Sequence, residues 1–266
     1  SFKAAEVITD IHNDPRIKTR KDLVIAYAKH VVPLYIPVAI PEGEGVKQDL
    51  QRCITQKPLK VLGYGNVKGI DLNYWARKNS CVKHDHFTFI FVGRIVREKG
   101  INELVSAFVR LNREYPDMRL LLVGPYEENL DPVLPETKRI IDGCEAIDAV
   151  GAQKDVRPFY EQSDVLVFPS YREGFPNVVI EAGAMDLPCI VTDINGSREI
   201  IEHGKNGVIV PSRDEQALYD AMKWIVEHPD ERKRMAENAR LMVASRFEQG
   251  FVRQCLKDYY KEILPV

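Results

Sequence analysis

The feature that most restricts what this chain can fold into is a series of short, unbroken apolar runs separated by amphipathic stretches. Residues 87–92 (FTFIFV), 119–123 (RLLLV), 164–168 (DVLVF) and 189–192 (CIVT) lack the in–out alternation of a half-exposed strand. They suit strands covered on both faces. Shorter candidates lie at 146–150 and 208–210. Between them apolar residues recur at helical spacing, as Leu104, Phe108 and Leu111 do within 101–115. Further helices are expected at 136–141, 156–162, 177–185, 215–227, 230–245 and 251–263. Parallel strands need crossover helices, so this alternation predicts an α/β fold, a Rossmann-like doubly wound parallel sheet. Ligands of such sheets bind in the loops after the carboxyl ends of the strands.

The first part of the chain is less regular. A helix is expected at 17–28, a strand interrupted by Pro33 and Pro37 at 31–40, a short helix at 44–54 and a glycine-rich loop at 63–69. This segment reads as the tail of a domain, incomplete by itself. With 266 residues, one or two domains are expected. Lys plus Arg (37) and Asp plus Glu (39) nearly cancel, which disfavours nucleic-acid binding by bulk charge. No run of about 18 apolar residues occurs, so no membrane-spanning helix is expected. Five scattered cysteines, without a Cys-x-x-Cys pair, indicate reduced and mostly buried thiols in a cytosolic chain rather than disulfides or zinc ligands.

Two strand-end loops carry chemistry. Residues 93–100 place Gly93, Arg94, Arg97, Lys99 and Gly100 between a buried strand and a helix start, a combination suited to a diphosphate. The spacing fits neither a dinucleotide fingerprint nor a P-loop, and a solvated basic turn explains it equally well. Residues 170–182 set Glu173, Gly174, Phe175, Pro176 and Asn177 before Glu181. Asn177 can serve the first helical turn, and Glu181 projects from the same side one turn on. One carboxylate then reaches a sugar ring, the other accepts hydroxyl hydrogens from a ribose, and the amides of Asn177 and Val178 face a phosphate. A solvated loop charge and a surface helix residue are the bland alternative. A third loop, opening with Gly151 and Ala152 and followed by Lys154, offers backbone to a base edge, or is an ordinary turn. Asn195, Gly196 and Ser197 read as a turn and helix cap.

Gly93-Arg94, Lys99-Gly100 and the span from Glu173-Gly174-Phe175-Pro176-Asn177 to Glu181-Ala182 resemble the retaining nucleotide-sugar glycosyltransferases of family 4, which have the GT-B fold. The order of Gly151, the 164–170 strand and Gly204-x-x-Gly207 agrees, and the resemblance runs from about residue 58 to the end. Residues 60–74 are similar to the family's interdomain stretch. The resemblance implies that residues 1–75 are the remnant of an N-terminal acceptor domain with its linker, 76–250 the nucleotide-sugar domain, and 251–266 a helix returning towards the first. It implies that Arg94 and Lys99 bind the donor diphosphate, that Glu173 contacts the transferred sugar, and that Glu181 holds the ribose. Gly93, Gly151, Ala152, Gly174, Phe175, Pro176, Asn177 and Val178 complete the donor site. No Asp-x-Asp metal motif and no cofactor are expected; the nucleotide-diphosphate sugar is the donor substrate.

The expected function is metal-independent transfer of a sugar, with retention, to a saccharide or lipid-linked acceptor in bacterial surface polysaccharide synthesis. The alternatives are an epimerase or phosphorylase of the same architecture, or a nucleotide-sugar-binding module without catalysis. If the first domain is truncated, donor binding should survive and transfer should be weak or absent. His12, His30 and His84 to His86 read as surface or packing residues rather than acceptor-side groups. Basic clusters at Arg16, Lys18, Arg20 and Lys21, and at Arg232, Lys233, Arg234 and Arg240, are solvated faces by default. Peripheral contact with the inner membrane face is the minority reading.

Overall fold

The computed structural model describes residues 39–77, 86–127, 129 and 131–264. The helix expected at 17–28, nearly all of the 31–40 strand, the first basic cluster, Cys81, His12, His30 and His84 lie outside them.

The expected sheet is present. β1 (Phe87–Val92), β2 (Met118–Val123), β3 (Ile147–Gly151), β4 (Val165–Phe168), β5 (Cys189–Thr192) and β6 (Gly207–Val210) form one 6-stranded sheet in the order β3-β2-β1-β4-β5-β6. Every pairing is parallel, from Phe87 opposite Met118 to Thr192 opposite Val210. Burial explains the unbroken apolar runs: Phe89, Ile90, Phe91, Val165, Leu166, Val167, Cys189, Ile190 and Val191 are all at 0% exposure, because helices cover both faces. The edge strand β3 is the exception. Asp148 and Ala149 are exposed there, and the run is correspondingly less apolar.

In chain order the helices are α1 (Glu44–Cys53), α2 (Ile101–Glu114), α3 (Pro135–Gly143), α4 (Arg157–Glu161), α5 (Asn177–Ala184), α6 (Ser197–Ile200), α7 (Glu215–Glu227), α8 (Pro229–Phe247) and α9 (Gln249–Ile263). α2 buries Leu104, Phe108 and Leu111 as its spacing requires. Asp214 caps α7 by accepting the Ala217 N–H, and Glu248 caps α9 by accepting that of Phe251. Pro135 and Pro229 open α3 and α8, where no intrahelical N–H partner is lost.

Winding proceeds from β1 outwards to β3, then returns to β4 on the other side of β1. The loops after β1 and β4 therefore diverge to opposite faces and leave a crevice between them, at the switch point of the sheet. The floor beside it is built of backbone. Gly93 N donates to Val123 O and Gly124 N to Gly151 O, both at 2.9 Å. Gly93 and Gly124 take φ of 150° and 149°, which disfavours a Cβ on either.

Residues 59–77 run along the junction of α8 and α9. Ile70 N donates to Phe247 O at 2.8 Å, and Gln249 N to Ile70 O at 2.9 Å. Arg240 of α8 donates to the carbonyls of Leu72, Trp75 and Ala184. Arg232 donates to Ile225 O and sits 4.7 Å from the Phe87 ring. Two of the four charges in the second basic cluster thus turn inward and hold the fold. The expectation of mostly buried thiols is also corrected: of the described cysteines only Cys189 is buried, while Cys53 is exposed at the end of a helix with one solvated face.

A Cβ on Gly124 would lie 1.8 Å from Gly93 O. Gly124→Ala must therefore force the β1 and β2 loops apart, and is expected to cost about 2 kcal/mol or more. Thermal unfolding should show a fall of at least roughly 4 °C. An unchanged melting temperature would mean that the loops are not in fixed contact.

Candidate active site

The β1 loop turns through Arg97–Lys99, a single 3-10 turn, into α2, with Gly100 left-handed at φ 71°. The β4 loop descends from Pro169 to Pro176 into α5. The backbone at Glu98 joins the two: Tyr171 N donates to Glu98 O at 2.9 Å, and Glu98 N to Asp131 Oδ2 at 2.6 Å. The crevice is therefore braced by a backbone hydrogen bond between its two loops.

Lys99 and Glu173 form an ion pair across the crevice, with side-chain exposures of only 13% and 18%. Ser170 Oγ donates to the same Glu173 oxygen at 3.0 Å, and Lys99 Nζ lies 5.7 Å from the Phe168 ring centre. Arg94 stands at the crevice mouth and donates to Glu127 at 2.7 Å and Glu98 at 3.1 Å. Hydrogen bonding to Glu127 is the largest influence on Arg94 and raises its pKa, with smaller contributions from Glu98 and Glu173. Glu173, 74 residues from Lys99 in the chain, is thus brought beside the loop that carries Arg94 and Lys99. Arg94 also lines an open cleft of about 800 Å³ with Arg97, Glu98, Asp131, Tyr171, Arg172 and Arg213.

Glu181 is placed differently from the single pocket that the sequence suggests. One turn inside α5, it lines a second, smaller cavity of about 140 Å³ with Asn66, Lys68, Asp71 and Asn177. Burial is the main influence on its carboxyl and raises the pKa; Lys68 and a hydrogen bond with Tyr160 oppose it. The tyrosine, in turn, is fully buried and holds its proton well above the usual range, again through burial. Asn177 does not cap α5. Pro176 occupies the cap position without a side-chain acceptor, and Asn177 Oδ1 instead accepts from Asn66 Nδ2 at 2.7 Å. Asn66 has claimed that side chain, leaving the first amides of α5 uncapped by any side chain.

The remaining site candidates are backbone or core. Phe175 is buried and packs edge-on against Phe247 at 5.7 Å, so its ring belongs to the core. Val178 is half-buried against the core, with its carbonyl facing the Tyr160 hydroxyl. A Cβ on Gly174 would make ordinary contact with Glu42 and Val46 at 3.9 Å, one on Gly151 would meet nothing, and Ala152 is exposed in the following turn. Gln153 Nε2 closes that turn on Val150 O at 2.7 Å.

Three features were invisible in the sequence. Gly124 completes the glycine floor. Glu199, in the turn read only as a cap, accepts the N–H groups of Glu44 and Gly45 at the start of α1, at 2.7 and 3.1 Å. Arg213, beyond β6, lines the cleft as well. Each depends on contacts between distant residues, for which local spacing carries no signal.

This arrangement matches known proteins. The family described as glycosyl transferases group 1 matches residues 76–242, well over half of the chain. The chain belongs to that family. A capsular polysaccharide biosynthesis glycosyltransferase, CapM, of Staphylococcus aureus is 28% identical over 234 residues, which cover 85% of this chain and 61% of that protein. A D-inositol 3-phosphate glycosyltransferase of Corynebacterium urealyticum is 31% identical over 180 residues, covering 64% of this chain and 42% of the relative. Across the first curated relatives, the chain spans between 42% and 61% of their length. Among solved structures, Anabaena Alr3699/HepE in complex with UDP superposes with a TM-score of 0.79 at 18% identity, covering 94% of this chain and 70% of that one. The C-terminal domain of a group 1 glycosyl transferase, LpcC, from Francisella tularensis gives 0.60 at 21% identity, covering 68% of this chain and 99% of its own. The doubly wound α/β fold expected from the sequence is the fold of these glycosyltransferase structures.

The raised pKa of Glu181 has a direct consequence. The folded chain holds that proton more tightly than the unfolded one. Ionisation therefore costs stability as pH rises from the ordinary value of 4.5 through the raised one. Glu181→Gln removes the cost, so the variant should gain in melting temperature relative to the parent between pH 4 and pH 7. A gap that narrows over that range would show that pairing with Lys68 outweighs burial.

Proposed function

We propose that this chain carries the donor-binding half of a retaining glycosyltransferase of family 4. In this reading it moves a sugar, without a metal ion, from a nucleotide-diphosphate sugar to a saccharide or lipid-linked acceptor in surface polysaccharide synthesis at the cytoplasmic face of the membrane. Residues 1–75 are then an N-terminal acceptor segment with its linker, and α9 is the helix that returns to it. α9 does pack on residues 60–69: Lys60 pairs with Glu262, and Phe251 and Tyr64 lie with ring centres 6.2 Å apart. The names of relatives support the biosynthetic setting, CapM above all and an alpha-monoglucosyldiacylglycerol synthase of Acholeplasma laidlawii for the lipid side.

The observation that carries the reading is the half-buried Lys99–Glu173 pair beside Arg94 at the switch point of the sheet. Departure of a nucleotide diphosphate builds negative charge on its oxygens. Lys99, released from Glu173, and Arg94, released from Glu98 and Glu127, can meet that charge together from the β1 loop. The uncapped amides of Asn177 and Val178 add oriented dipoles at the start of α5. Groups held in place before the charge develops lower the barrier with little reorganisation. Glu173, once its lysine turns to phosphate, is free to accept a hydroxyl of the transferred sugar. Glu181, at the base of the adjoining cavity, takes the ribose hydroxyls.

Exchange of partners by Lys99 separates two variants. Lys99→Ala should weaken UDP binding about tenfold or more, the scale of a charge-assisted contact. Glu173→Gln should tighten UDP, because it removes the competitor for Lys99, while abolishing the added affinity of a UDP-sugar over UDP. Isothermal titration reads both, and a guanosine series run alongside identifies the base. Absence of heat with every nucleotide sugar would sink the reading. Where transfer is observed, an inverted anomeric proton signal in the product would refute retention. Sedimentation with anionic vesicles, compared with neutral ones, tests the membrane-face assignment, and equal partition into both pellets would remove it.

A further inference from the structure

The cleft beside the donor crevice holds more cationic side chains than the diphosphate reading uses. Its lining includes four arginines, Arg94, Arg97, Arg172 and Arg213, against two carboxylates, Glu98 and Asp131. Both carboxylates are already divided. Glu98 is shared between Arg94 and Arg172, which lies at 2.7 Å. Asp131 serves Arg97 at 3.1 Å and the amide of Glu98. Arg213 is left without an ion pair or hydrogen bond to any described residue. Its guanidinium lies 4.6 Å from the centre of the Tyr171 ring, and Tyr171 is itself held by a 2.5 Å hydrogen bond to Glu103. The backbone at Arg213 is left-handed, with φ 64°, a conformation that a non-glycine residue adopts at a cost. Stacking on a ring presents the flat edge of a guanidinium outward, the geometry that suits a carboxylate or phosphate.

We propose that Arg213, with Arg97 and Arg172, forms a subsite for an anionic substituent, a carboxylate or phosphate, on the saccharide that occupies this cleft. The inference rests on the proposed donor site and extends it by naming a substrate class. Because Arg94 lines this cleft and is also a proposed diphosphate contact, the anion would sit next to the diphosphate. It belongs either to the transferred sugar or to the incoming acceptor. Arg97 and Arg172 are exposed and can swing from their carboxylates onto such a group, whereas Arg213 is already oriented by its ring.

Two titrations distinguish the sources. UDP-glucuronate is compared with UDP-glucose on the free chain; separately, glucuronate, glucose 6-phosphate and glucose are added to the UDP-saturated chain. A preference for the anionic sugar of about tenfold is expected in one of the two arms. A preference in the first arm puts the anion on the donor, and in the second on the acceptor. Arg213→Gln should abolish it and Arg213→Lys should keep part of it; both replacements face the same backbone demand, and their melting temperatures report folding. Equal binding of charged and neutral sugars in both arms would overturn the subsite, as would a preference that survives Arg213→Gln. Failure of UDP itself to bind would strike the donor reading alone. In that case the free saccharides, titrated without nucleotide, still decide whether Arg213 selects an anion.

Discussion

The rest of the molecule depends on one constraint: all six strands point the same way, and the winding reverses beside β1. Parallel direction delivers every carboxyl-terminal loop to one edge of the sheet. Reversal then sends the loop after β1 and the loop after β4 to opposite faces, so neither fills the space between them. Lys99 comes from one loop and Glu173 from the other. Their pairing therefore follows from topology, since 74 residues separate them in the chain.

The electrostatics of this edge are balanced rather than strongly positive. Arg94, Arg97, Lys99 and Arg172 each hold a carboxylate, and Glu98 holds two of the arginines at once. Such pairing keeps several arginines and a lysine close together without large mutual repulsion, and it makes the cost of binding an anion an exchange of partners rather than a loss of hydration. Exposed pairs contribute little to stability, so they can be given up at small cost. The Lys99–Glu173 pair is different. It is shielded from solvent, and a ligand must offer Lys99 a comparably good oxygen before that contact is released. In the proposed reading, that requirement favours a highly charged diphosphate over weaker anions.

Residues 59–77 are tied to the sheet domain through hydrogen bonds that reach both ends of α5. Asn66 takes the Asn177 side chain, and Arg240 ties Leu72 and Trp75 to Ala184. Glu199 meanwhile caps the start of α1 with its carboxylate, a favourable place for negative charge at a helix N-terminus. The start of α1 is thereby tied to α6, the short helix that follows β5. The small cavity containing Glu181 lies within this junction, so its carboxyl, inside α5, is desolvated, while Glu173, in the loop before that helix, keeps an ionic partner.

Much of the fold was legible because it is local. Unbroken apolar runs mark strands covered on both faces, and Leu104, Phe108 and Leu111 mark the buried side of α2; these patterns reflect burial of consecutive residues and need no knowledge of what lies opposite. The loops bearing Arg94, Lys99, Glu173 and Glu181 were legible for the same reason, as strand-to-helix turns with unusual composition. Tertiary structure alone decided that Glu181 occupies a cavity of its own, that Asn177 pairs with Asn66 rather than capping its helix, that Gly124 must lack a side chain, and that Arg213 enters the cleft without a carboxylate partner among the described residues. Those outcomes are set by which distant atoms compete for the same hydrogen bond or the same space, and a linear order of residues does not record that competition.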